Sequence, residues 1–514
     1  MSLRFLRSTL PAGEGDPAAA AQRQAGRRVA AEVGDALLAS GAAEANRARL
    51  LAGGVLTVTT GQQAGLFTGP LYAVLKGLSA AALAEALASR LGTPVVPVFW
   101  VAGDDHDFAE INHCSVIGPD GRATRIVLRE RPAEAPMLPA YREAVGADGA
   151  AALAALEALL PPSEFRATTL DWLRRAYAPD RSMAEACALA LAELLGPLGV
   201  VVCRGWHAAL KRSARGVILD AARQALPLDA ALAEEGRRLT AAGHEVPVEV
   251  GKGLTLIMVE DAQGRDRLRA DGADFAARRT GERYTTASLE RLLDKEPERV
   301  SPNVLLRPVV EAALFPTVAY VGGPGELAYL AQTGPLFERL GVPRPARVPR
   351  LSGAIIEAKV DRVLERVGLT AADLAQPEGE LAARVAREDL PPGAVAALAQ
   401  LRESLTRGYE ALSREAVQVE KTLEKPVENA RNQALHGAQE IEKKLVAALR
   451  RAGDTALQQV ARAREAIYPG GAPQERILTL ASFLSRHGSP VVDLLAAEAA
   501  AHARALLEGP PGRA

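Results

Sequence analysis

The chain has 514 residues, 48% of them hydrophobic and 24% charged, enough for two or three domains with their own cores. Its 61 Lys and Arg balance 62 Asp and Glu for a formal net charge of -1, so no global field favours nucleic acid or an anionic membrane. Three cysteines, Cys114, Cys187 and Cys203, make neither an even disulfide framework nor a metal-ligand spacing; with every apolar stretch interrupted by charge, this predicts a cytoplasmic protein without membrane spans.

Residues 18–52 read as helix broken at Ser40 and Gly41, with alanine supplying helix propensity at low entropic cost. Residues 55–60 form a short β-branched strand, followed by a glycine-rich loop over 61–69 and an amphipathic helix over 70–88. A second strand over 95–102 is apolar almost throughout, as a parallel strand covered on both faces must be, and it runs into Asp104, Asp105, His106 and Asp107. A hairpin is expected around Gly118 to Gly121, helices over 133–195, a third core strand over 199–203, a β-rich insertion from 245, and a further strand over 318–321 opening into Gly322, Gly323, Pro324, Gly325 and Glu326. From about 385, Leu405, Tyr409, Leu412, Ala416, Val419 and Leu423 recur at alternating three- and four-residue steps, the spacing of a coiled-coil seam. Ala434, Ala438, Ile441, Leu445 and Ala448 resume that seam after an expected break at Pro426, giving an intramolecular helical pair or a dimer arm. Another helix starts near Asp454, and the segment 474–507 is expected to pack back on the core.

The loop at Gly61, Gly65 and Gly69 is neither a P-loop nor a dinucleotide fingerprint, yet glycines permit close ligand approach and free amides at the following helix start would hold a phosphate or carboxylate. Gln62, Gln63 and Thr68 add directional hydrogen bonds, and Lys76 points an ammonium toward an anion. His106 is the candidate acid, base or orienting group, with Asp105 and Asp107 positioning it or a cation; no permanent metal site is expected. Arg307, between apolar residues, is a candidate carboxylate or phosphate clamp, and Tyr320 and Glu326 are candidate substrate contacts beside Gly322, Gly323 and Gly325. Lys252, His207 and His244 are weaker candidates, and the cysteines read as ordinary buried residues. On these residues alone a ligase, a noncatalytic ligand-binding protein and a coiled-coil scaffold all remain open.

The run TGQQAGLFTGPLY at 60–72 resembles a signature of the bacillithiol biosynthesis cysteine-adding family, the BshC cysteine ligases. VFWVAGDDHDFAEINH at 98–113, SPNVLLRPVVEAALFPTVAYVGGPGELAYLAQ at 301–332 and YPGGAPQER at 468–476 continue the resemblance along nearly the whole chain. One departure stands out: where the family pattern reads closer to Val-Gln-Asp, this chain has Val310, Glu311 and Ala312. The resemblance implies an α/β fold with a Rossmann-like core similar to nucleotidyl transferases and class I aminoacyl-tRNA synthetases, inserted connecting regions and a coiled-coil arm used in homodimerisation. It divides the chain into a first core part (1–132), a helical connecting region (133–195), the remainder of the core with a β-rich insertion near 240–300 (196–384), the arm (385–467) and a C-terminal segment on the core (468–514). It implies joining of L-cysteine, through its carboxyl group, to the amine of glucosaminyl-malate; because direct amide formation would expel a poor oxide leaving group, prior activation of the carboxyl group by ATP or another nucleotide, with Mg²⁺, is expected.

Overall fold

The computed structural model describes residues 3–388, 390–452 and 454–508. They form two compact units. One joins Leu3–Ile355 to the segment from Pro473 onward; the other is Ile356–Ala472.

The first unit is built on a six-stranded sheet of β1 (Leu37–Leu38), β2 (Leu56–Gln63), β3 (Val95–Ala102), β4 (Val201–Arg204), β5 (Thr317–Gly322) and β6 (Ala346–Pro349), in the order β6-β5-β2-β3-β4-β1. All neighbours are parallel except β1, which pairs antiparallel with β4 at the edge. The chain winds outward from β2 in one direction and then from β5 in the other, the doubly wound Rossmann-like pattern, and the direction reverses between β2 and β5. Strand β3 shows why its sequence is apolar without alternation. Val96, Val98 and Trp100 enter one core, while Val95, Phe99 and Val101 enter the other.

Helix α1 (Leu71–Leu91) follows β2, ends at left-handed Gly92, and lies buried between the sheet and α5 (Pro490–Glu508). It is long and apolar enough to cross a bilayer by composition, and this burial accounts for that composition instead. The expected 18–52 helix is absent as such: a six-residue helix (Pro17–Gln22), a 3₁₀ turn (Ala31–Ala36), edge strand β1 and a helix at Ala42–Ala52 replace it. Alanine content raised the helical expectation, but Leu37 and Leu38 gain ladder bonds to Cys203 and Val202, a tertiary gain that propensity does not register. The β-rich insertion is a five-stranded antiparallel sheet spanning Leu254–Asp261 to Val300–Pro302, and helix α2 (Pro324–Gln332) follows β5.

The second unit begins with a helix at Ala358–Arg366, earlier than the seam suggests because its first helices are short and carry no heptads. Its long helices α3 (Pro392–Val419) and α4 (Glu424–Ala452) pack as a hairpin, with Glu442 accepting from Arg402 and pairing with Arg387 at 3.1 Å. Leu398, Ala438 and Val446 are buried, whereas Leu412, Val419, Ile441 and Leu445 of the expected seam are exposed. The reversal falls at a 3₁₀ turn, Lys421–Leu423, so Pro426 lies in the first turn of α4, where a missing N–H costs nothing, rather than breaking a helix.

Candidate active site

A cavity of about 830 Å³ opens at the carboxyl ends of β2, β3 and β5, across the reversal of winding. Ligands of doubly wound sheets bind at this position, because the diverging connections leave a crevice. The insertion sheet, the segment after β6 and the C-terminal segment supply its other walls through Arg265, Arg350 and Arg476.

One wall is a buried chain of alternating charge. Arg307 donates Nη1 to Glu311 at 2.7 Å and Nη2 to the Tyr320 hydroxyl at 3.0 Å; that hydroxyl donates to Glu326 Oε1 at 2.9 Å. The other Glu326 oxygen accepts from Gly323 N–H at 2.9 Å and pairs with Lys76. Lys76 Nζ also donates to Gly61 O at 2.8 Å and Gln62 Oε1 at 2.6 Å. Burial pushes the Lys76 ammonium below its usual range, with Glu326 pulling the other way. Burial would raise the Glu326 carboxyl, but Lys76 and Gly323 outweigh it and hold it below the carboxylate range. Glu311, part of the departure from the family pattern, is fully buried as the partner of Arg307 one helical turn away; burial raises its pKa.

Across the sheet, Asp105 Oδ2 accepts from Gln63 at 2.7 Å. Burial opposes ionisation of Asp105, yet Arg265, Gln63 and the Asp107 amide bring its pKa below the usual value. Burial and Arg265 hold His106 down to about 4, so its ring is neutral at pH 7. Arg265 lies 3.3 Å from His106 Nδ1. A guanidinium only donates, so Nδ1 accepts and the ring proton resides on Nε2. His106 is therefore a neutral ring at pH 7 with its proton on Nε2.

The structure brings Gly61, Gln62, Gln63, Lys76, Asp105, His106, Arg307, Gly323, Gly325 and Glu326 together around this one cavity. Tyr320 and Gly322 sit behind the wall: Tyr320 acts through Arg307 and Glu326, and Gly322 O accepts from Arg350 N–H at 3.0 Å. Thr68, Gly65 and Gly69 do not line it. They form a tight turn in which the Gly65 and Gly69 backbones nearly touch, a Cβ on Gly65 falling 2.7 Å from Gly69 Cα, while Thr68 takes a left-handed φ of 71°. The Tyr177 hydroxyl fastens the turn, accepting from Thr68 N–H at 2.9 Å and donating to Gly65 O at 2.8 Å. Nor is the start of α1 an open anion site: Leu71 N–H is taken by Leu478 O at 2.8 Å and Ala73 N–H by Pro70 O at 2.9 Å. Asp107 caps the short helix Phe108–Ile111 by accepting from Glu110 N–H, outside the cavity. Lys252 pairs with Glu249 at 2.6 Å and His207 caps the helix Ala208–Ser213, both away from the cavity. All three cysteines are buried and unpaired; burial pushes Cys114 and Cys187 up to about 12 and raises Cys203 as well, leaving no thiolate nucleophile.

Sequence reasoning missed Arg265, Arg267, Arg278 and Arg279, which the insertion sheet turns toward the cavity, and Lys211, which pairs with Asp104. Arginine is so frequent in this chain that composition hid them. Counting all lining residues, eight basic side chains face four acidic ones. Arg278 and Arg476 have no ion-pair partner among the described residues. Also among the described residues, no three His, Cys, Asp or Glu side chains converge where they could hold a metal ion.

Residues 20–351 match the family described as "Bacillithiol biosynthesis BshC, N-terminal Rossmann-like domain", and residues 353–504 match "Bacillithiol biosynthesis BshC, C-terminal coiled-coil domain". Curated relatives named "Putative cysteine ligase BshC" include a Salinibacter ruber protein, 32% identical over 450 residues, covering 85% of this chain and 80% of the relative. A Heliobacterium modesticaldum protein is 32% identical over 458 residues, covering 88% and 82%, and a Cytophaga hutchinsonii protein is 32% identical over 447 residues, covering 85% and 80%. With both halves matched and the relatives aligned through core and arm alike, the chain belongs to the bacillithiol biosynthesis BshC family.

Proposed function

We propose that this chain is a cysteine ligase of bacillithiol assembly, joining the carboxyl group of L-cysteine to the amine of glucosaminyl-malate in the cavity between β2 and β5. The observation that carries the reading is the cavity's surplus of basic groups, with Arg278 and Arg476 uncompensated among the described residues. The malyl carboxylates and an activated carboxyl group are both anionic and match it. The strand order supports a likeness of the core to nucleotidyl transferases and class I aminoacyl-tRNA synthetases.

Direct amide formation would expel oxide, a poor leaving group, so ATP or another nucleotide, carrying Mg²⁺, would supply the activation. The fit is favourable: the cavity lies within the size range of cofactor sites, roughly 300–1,000 Å³, and Arg265, Arg267, Arg278 and Arg279 would meet the nucleotide's charge. In this reading Arg476 holds a carboxylate group of the substrates, while Arg350 is taken up by Glu475 and braces the wall. The Lys76–Glu326–Tyr320–Arg307 chain fixes the floor, and Gly61 makes room for the neighbouring strand, a Cβ there falling 2.9 Å from Trp100 O. His106 donates its Nε2–H to negative charge developing on an oxygen, the part of a preorganised donor. Thr68, Asp107, Gly65 and Gly69 take structural parts. The exposed Leu412, Val419, Ile441 and Leu445 offer an apolar face for homodimerisation through the arm.

Purified protein incubated with glucosaminyl-malate, L-cysteine, ATP and Mg²⁺ should form the amide product with stoichiometric nucleotide turnover, followed by mass spectrometry. A well-folded preparation that binds glucosaminyl-malate but forms no product with any nucleotide would replace this reading by a noncatalytic binding role. Solution mass at working concentration tests the dimer; a monomer there would oppose it.

A further inference from the structure

Resting on the ligase reading, we propose that the Tyr72 hydroxyl is a substrate-binding donor that, together with Arg476, seats a malyl carboxylate. Tyr72 stands in the first turn of α1, lines the cavity and is half-buried. Its oxygen accepts from Gln62 Nε2–H at 3.2 Å. The hydroxyl hydrogen goes to no acceptor among the described residues, so it is left for whatever fills the cavity.

The buried charge chain fixes the direction of that hydrogen bond. Lys76, one helical turn along α1, has three hydrogens and gives them to Gly61 O, Gln62 Oε1 and Glu326 Oε2. Gln62 must therefore turn its oxygen to Lys76 and its amino group to Tyr72. An amide nitrogen only donates, so the phenol accepts there and donates elsewhere. An ammonium thus polarises an amide, and the amide a phenol, which strengthens the terminal O–H as a donor. The ring is held as well: Lys76 Nζ lies 5.7 Å from its centroid and the Arg350 guanidinium carbon 5.6 Å, and Arg350 is itself fastened by Glu475. Burial and Glu326 raise the Tyr72 pKa against the pull of Arg476 and Arg350, so the phenol keeps its proton at pH 7.

Arg476 supplies the charge. It lines the same cavity, is exposed, has no ion-pair partner among the described residues, and lies within electrostatic reach of the Tyr72 hydroxyl. A phenol O–H beside an uncommitted guanidinium matches a carboxylate, which accepts from both. The cysteine carboxyl group is consumed by activation and belongs beside the nucleotide, at the arginines of the insertion sheet. Tyr72 and Arg476 come instead from α1 and the C-terminal segment. The carboxylates left for them are those of the malyl group, which stay ionised throughout the reaction.

Calorimetry on the full-length protein measures glucosaminyl-malate and L-cysteine separately. Tyr72→Phe keeps the ring between its two cations and removes one oxygen. The Kd for glucosaminyl-malate should rise about tenfold or more, while that for L-cysteine changes by less than about twofold. Gln62→Glu tests the direction of the relay, because a carboxylate at position 62 accepts from both Lys76 and Tyr72 and turns the phenol hydrogen away from the cavity. Adding Tyr72→Phe to Gln62→Glu should then change the glucosaminyl-malate Kd by less than about twofold, whatever the added charge costs by itself. A Tyr72→Phe protein within about twofold of the native Kd, an equal loss for L-cysteine, or the full loss again on the Gln62→Glu background overturns the assignment while the ligase reading stands. Failure of the unmodified protein to bind glucosaminyl-malate would instead remove the ligase reading, and this assignment with it.

Discussion

Replacing Lys76 by Met keeps the stem's volume and removes the ammonium at the centre of the buried charge chain. Three acceptors lose a donor: Gly61 O, Gln62 Oε1 and Glu326 Oε2. The Gln62 side chain can turn, but the Gly61 carbonyl cannot, and that loss costs about 1 kcal/mol or more at any pH. Glu326 keeps the Tyr320 hydroxyl and Gly323 N–H but loses its countercharge, and removing one partner of a buried pair costs ~3–5 kcal/mol. The carboxyl can escape by taking a proton, at about 1.4 kcal/mol for each pH unit above its ordinary pKa, which caps that part near 3 kcal/mol at pH 7. We therefore expect a total loss of about 4 kcal/mol at pH 7, shrinking to about 1.5 kcal/mol at pH 5. The sign follows from the Glu326 carboxyl. In the native protein its pKa is lowered, so its contribution is present above the unfolded value and lost as pH falls. Without Lys76 burial raises it, and the variant is penalised more as pH rises. All three tryptophans, Trp100, Trp172 and Trp206, lie in the core unit, so their emission during urea unfolding reports that unit. Lys76→Met within about 1 kcal/mol of the native protein at pH 7, or a loss independent of pH, would refute the argument, as would a Lys76→Met/Glu326→Gln variant less stable than Lys76→Met alone.

Glu475→Gln should destabilise the core unit by about 3–5 kcal/mol by tryptophan emission, because its carboxylate pairs with buried Arg350 at 2.7 and 2.8 Å and also accepts from Ser352 and Gly353 N–H. The His106 ring should show no protonation by NMR down to about pH 5, and Arg265→Ala should move its titration upward; since the native pKa is depressed, its contribution to stability is complete above about 6.5 and lost as pH falls through about 4. Arg476→Ala should raise KM for the malyl substrate about tenfold with kcat within threefold, and the native KM should rise with salt; an equal fall in kcat would place Arg476 at the reacting atoms instead.

The parts legible in the sequence were those whose cause is local. The apolar run of β3 required cover on both faces. Lys76 stood out as an ammonium on the helix that follows the glycine-rich loop. The Gly61 to Gly69 loop was half read: Gly61 belongs to the site, but the anion seat expected at the start of α1 is filled by Leu478 O, from a residue about 400 positions later, which local sequence cannot disclose. The heptads announced a helical pair, yet the two periodicities of α3 and α4 admit several pairings, and the hairpin buries Leu398 and Val446 while leaving Leu412 and Ile441 outside. The arginines of the insertion sheet carried no signal, since their value depends on which face of the sheet meets the cavity.

Gln474 exchanges two hydrogen bonds with Ile355, donating Nε2–H to its oxygen at 2.9 Å and accepting its N–H at 2.8 Å. The whole of Ile356–Ala472 thus leaves and re-enters the core at adjoining points. During synthesis, the sheet and most of the cavity emerge first, the helical unit next, and Arg350 and Arg476 come to face each other's surroundings only once the chain beyond Pro473 has left the ribosome. A nascent chain halted before that point carries a sheet whose cavity lacks the wall that Arg476 supplies. The same closure means that a short linker from 355 to 474 could stand in for the excised helical unit and leave the core unit to be studied by itself.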